Sequence, residues 1–71
     1  MTDQRRIELT VLGYRIERVQ ELDERGDVAR QRYHVLAPGT DALLGSFAQR
    51  VEAEREIVAR ELRAQPRMPA W

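Results

Sequence analysis

Between residues 7 and 11 the apolar side chains fall at alternate positions, Ile7, Leu9 and Val11, with Glu8 and Thr10 between them. That is the period of a half-buried strand, because successive strand side chains point to opposite faces. Gly13 breaks the phase, and Tyr14 and Ile16 resume it against Arg15 and Glu17. One residue cannot close a hairpin, so the spacing favours a bent strand with a bulge at Gly13 over two separate strands. The run 14–22 is followed by a second strand-like run, 28–37, across Asp23-Glu24-Arg25-Gly26-Asp27. A short polar connection whose glycine can supply a positive φ is a hairpin signal. It contains Arg25-Gly26-Asp27, the tripeptide familiar from cell adhesion, which is read here as the place where the chain turns round.

In the second run Tyr33 and Val35 share one face while Arg30, Arg32 and His34 share the other. Pro38-Gly39-Thr40-Asp41 predicts a second turn, and "ALLG", 42–45, a short third strand with one of Leu43 and Leu44 facing the core. Ser46 and Gln49 have the spacing of a capping box, which predicts a helix from 46 to about 64, closed by Gln65-Pro66. Winding it at about 100° per residue gathers Phe47, Val51, Val58 and Leu62, with Ala48 and Ala59, into an arc that can lie on a sheet. Arg55 falls inside that arc and has to snorkel past the sheet edge. Ala53, Ile57 and Ala64 form a smaller apolar cluster, separated from the first by Arg50, Glu54 and Glu61. Burying both would bury those charges, so the sequence predicts the second cluster at the surface.

The expected architecture is a small two-layer α+β domain over residues 1–65, in the order β-β-β-α: an antiparallel three-stranded meander packed against one C-terminal helix. Residues 66–71, with Pro66, Pro69 and a terminal Trp71, read as an extended tail.

At 71 residues the core can be only small, and with no cysteine there is no disulfide framework or thiolate metal site. The stretch "IELTVL" is far too short to span a membrane, and nothing resembles an export signal, so a cytoplasmic protein is expected. Twelve arginines balance twelve acids, with no lysine, which removes the generic attraction of a basic domain for nucleic acid. The arginines are scattered along the chain, not gathered in one block.

Catalytic chemistry is thinly represented. There is one serine, Ser46, wanted at the helix cap, and one histidine, His34, predicted among arginines instead of beside an orienting carboxylate. Glu56 with Arg60, and Glu52 with Arg55, have the spacing of weak solvated ion pairs on a helix. No metal-ligand spacing and no glycine-rich phosphate loop is present, so neither cofactor nor metal is expected and the chain reads as non-catalytic.

Two functional expectations follow. The first is a protein-interaction or self-association module, with Ala53, Ile57 and Ala64 as the helix patch presented to a partner protein or a second copy. The second is duplex DNA recognition by the open sheet face, through Arg15, Arg30, Arg32 and His34. In its order of strands, turn and capped helix, "RYHVLAPGTDALLGSFAQRVEAERE" resembles the strand-meander-and-helix DNA-binding domains at the N-terminus of some tyrosine recombinases. Glu17 and Glu21 fall on the same predicted face, and whether they answer the sheet arginines discriminates between the two.

Overall fold

The computed structural model describes residues 2–64; the expected tail and Trp71 lie outside the described residues. Four strands, β1 (Thr2–Val11), β2 (Tyr14–Leu22), β3 (Val28–Leu36) and β4 (Leu43–Phe47), precede one helix, α1 (Arg50–Ala64). Each strand pairs antiparallel with its sequence neighbour, giving one sheet in the order β1-β2-β3-β4. The α+β class and the meander are as expected, with one strand more.

The extra strand comes from the Leu12-Gly13 turn. Both residues have positive φ, 52° at Leu12 and 85° at Gly13, so Val11 pairs with Tyr14 across a two-residue loop of the kind whose twist matches a hairpin. The sequence expectation counted only Gly13 as a turn residue, because leucine rarely adopts this conformation. β1 also begins five residues earlier than its alternation suggested, since residues 2–6 pair with β2 but carry no apolar face.

At 23–27 the Asp23 carboxylate accepts from the backbone amides of Arg25 (2.9 Å) and Asp27 (3.0 Å). The Gly26 amide donates to the Asp23 carbonyl at 3.0 Å, with Gly26 at φ 85°. Arg25-Gly26-Asp27 is therefore built into the turn.

The helix lies over one end of the sheet, against β2, β3 and β4. Tyr14, Ile16, Val35, Ala53 and Ile57 are buried between the layers, with Val11, Tyr33, Leu44 and Phe47 packed around them. Register shifts at Glu8, opposite Ala29 and at Leu44 interrupt the three strand pairs. The last of these lets Leu44 join the core while Leu43 stays outside. The far end of the sheet has no helix over it.

The helix begins four residues later than expected. Ser46 and Phe47 pair with His34 and Tyr33 in the sheet, where the Phe47 ring reaches the core, so Ser46 is not the cap. Gln49 takes that place: its carbonyl accepts from Glu52 and Ala53, and its amide donates to Glu52 Oε1 at 3.0 Å. Glu52 is therefore engaged in capping, not paired with Arg55.

Candidate interaction surfaces

The helix is apolar on two opposite sides. One side, Ala53 and Ile57, is fully buried against the sheet. This corrects the expectation that Ala53, Ile57 and Ala64 form a free patch: the first two are core, and only Ala64, at the helix end, is exposed. The other side, expected to be core, faces outward, with Val51 44%, Val58 46% and Leu62 66% exposed. These three, with Arg55 and Ala59 between them and Glu54 alongside, line a shallow apolar groove.

The choice of face has a physical reason. Burying the larger arc would put Arg55 beneath the sheet without a carboxylate partner, a heavy desolvation cost. Several charges bordering the smaller arc find partners instead, although Arg60 Nε has none by hydrogen-bond geometry. Arg60 pairs with Glu56 and donates to the Leu44 carbonyl at 3.2 Å, Arg63 approaches Glu56 at 3.6 Å, and the Tyr14 hydroxyl donates to Glu61 at 3.5 Å. Ala53 lets the helix approach closely enough for the aromatic rings of Tyr14 and Phe47 to fill the layer. By contrast, Glu54 and Arg55 have no ion-pair partner among the described residues.

On the sheet, the face away from the helix does bring Arg15, Arg30, Arg32 and His34 together, in register with Leu36, Glu21, Val19 and Glu17 respectively. Each has a local partner. Arg15 is paired with Asp41, Arg30 Nε lies 3.7 Å from Glu21 and His34 Nδ1 lies 4.0 Å from Glu17. Arg32 donates to the Ser46 hydroxyl, and Glu17 also receives Arg5 at 3.6 Å. The face is thus a mixed, largely self-compensated surface of the kind cross-strand pairs make. It holds little uncompensated charge with which to release counterions from a phosphate backbone.

His34 sits beside a carboxylate after all, which the sequence spacing did not suggest. The register lines up Glu17, His34 and Ser46 on three neighbouring strands. The Ser46 hydroxyl is held by Arg32, and the row lies on an open sheet face whose amides belong to the strand ladders, not to a hole for a developing oxyanion. Among the described residues there is no cluster of three or more histidine, cysteine or acidic groups arranged to hold a metal. No helix among them is long and apolar enough to cross a membrane.

On the helix side, the uncovered end of the sheet is polar. Arg6 stands directly opposite Arg18, which reaches Glu8 at 3.4 Å, and the Gln20 side chain donates to Gln31 at 2.7 Å.

The outer helix stripe is the feature the sequence reading missed. Its signal was Arg55: a guanidinium centred in the larger apolar arc marks that arc as the one left in water. Comparison with protein-family models, curated proteins and solved structures gave no match.

Proposed function

We propose that this chain is a non-catalytic self-association module that docks through the outer face of α1. The observation that carries the reading is the helix with two apolar sides, one used by its own sheet and one, Val51, Val58 and Leu62, facing water. The size of the core supports it: among the described residues five are buried in the core, while eight large hydrophobic side chains are exposed. A domain so thinly packed gains stability from any partner that binds only the folded state. The lack of cysteine suits a reducing compartment, and we place the module in the cytoplasm.

DNA is the secondary reading. It has in its favour that Arg15, Arg30, Arg32 and His34 share a face, and against it the partners each already has.

Sedimentation across a concentration series tests the proposal. The wild-type mass is expected to rise from one chain to two, and Val58→Asp to stay at one chain while keeping the wild-type far-ultraviolet dichroism. A wild-type chain that remains monomeric at several hundred micromolar overturns it.

A further inference from the structure

Val51, Arg55, Val58 and Leu62 follow one another at steps of four, three and four residues. This is the spacing of a coiled-coil seam, in which two helices meet along a stripe that recurs every 3.5 residues. We infer that the partner on this stripe is a second copy of the chain whose helix runs parallel, with Arg55 of each copy reaching Glu54 of the other. The inference rests on the self-association reading and adds its orientation.

Charge decides the direction. Glu54 and Glu61 flank the same side of the stripe, seven residues apart. An antiparallel pair that matches Val51 with Leu62 brings Glu54 of one copy close to Glu61 of the other, twice by symmetry, and leaves Arg55 beside Ala59. A parallel pair matches each stripe residue with itself, Arg55 with Arg55 included, and sets Glu54, the side chain before it, within reach of each guanidinium across the seam, so two Arg–Glu contacts offset the one Arg–Arg repulsion. Glu54 and Arg55 have no ion-pair partner among the described residues of their own chain, so the exchange breaks no existing pair. A single long cation in the seam also limits the assembly to two helices, because only in a pair can it extend sideways to water. The sheets do not obstruct this, since each lies against the opposite side of its helix.

The chain contains no cysteine, so single cysteines report orientation without background. Val51→Cys and Leu62→Cys alter exposed positions. In a parallel pair each variant alone oxidises to a disulfide-linked dimer, because like residues face each other within the Cα separation a disulfide needs. In an antiparallel pair like residues lie roughly 16 Å apart, at about 1.5 Å per residue, and only a mixture of the two variants cross-links. Cross-linking in the mixture alone overturns the parallel arrangement and leaves self-association standing. A dimeric mass with no cross-link in any sample removes the helix stripe as the interface. A monomeric mass overturns both, and emission from Trp71 then separates two occupants: a blue-shifted spectrum that reddens in Val58→Asp assigns the stripe to the chain's own C-terminal segment, and an unshifted one leaves it to a different protein. As an independent check, Arg55→Glu is expected to weaken association about tenfold, and Glu54→Arg with Arg55→Glu to recover most of it. Equal weakening by the single and double variants contradicts the Arg55–Glu54 exchange.

Discussion

Leu12 occupies the left-handed region at φ 52°, where its Cβ crowds the following carbonyl at a cost of about 1–2 kcal/mol. Its side chain is 60% exposed, so little packing compensates. Asparagine tolerates this conformation, and Asn-Gly is the pair that a two-residue hairpin prefers. Leu12→Asn is therefore expected to stabilise the fold by about 1 kcal/mol, raising the melting temperature by about 4–8 °C in a domain of this size. A thermal melt checks it; a lower midpoint would show that Leu12 makes contacts that matter more than its strain. Gly45 is constrained differently: a Cβ there would come within 2.9 Å of the Phe47 ring, so the small residue makes room for an aromatic ring packed against the core.

At the level of the elements, the strands near the helix were legible in the sequence and the helix face was not. Alternation at 14–17 could be read because that end of the sheet needs one dry face, whereas alternation at 7–11 misled: the bulge at Glu8 sets Ile7 opposite Glu17, on the other face from Leu9 and Val11. Residues 2–6 gave no such signal because no helix covers them, and pairing alone, without burial, imposes no pattern. The α1 pattern contains two apolar arcs, and counting carbons favours the wrong one. What decides is the cost of the charge each arc carries with it, and Arg55 weighs more than the extra methyl groups of Val51, Val58 and Leu62 gain. The sheet face was read better: Arg15, Arg30, Arg32 and His34 share it with Glu17 and Glu21 as the alternation implied, but which pairs form depends on the register, and the Arg15–Asp41 pair on a turn that spacing does not encode. Paired substitutions separate the two sides of the helix. Ile57→Ala is expected to destabilise by about 2–4 kcal/mol through lost burial and a cavity. Val58→Ala, one residue away, should leave monomer stability within about 0.5 kcal/mol and reduce association instead. Urea melts at low protein concentration check the first difference; equal losses would mean the helix is docked on another face.

At the scale of the molecule, a core of five buried residues among those described supplies only a few kcal/mol of net stability. If pairing through α1 contributes part of the working stability, the melting midpoint must depend on concentration. Each tenfold increase, where the dimer dominates, is expected to raise it by about 3–5 °C, and a midpoint independent of concentration over two decades would contradict that link. The topology bears on time as well as stability. Because every strand pairs only with its neighbour in sequence, each hairpin can close over a short loop without waiting for a distant segment, the arrangement associated with rapid folding for a sheet protein. The helix has no buried face of its own until β2, β3 and β4 have assembled. A chain emerging from the ribosome therefore completes its sheet before α1 can dock, and the stripe that faces outward acquires its final orientation last.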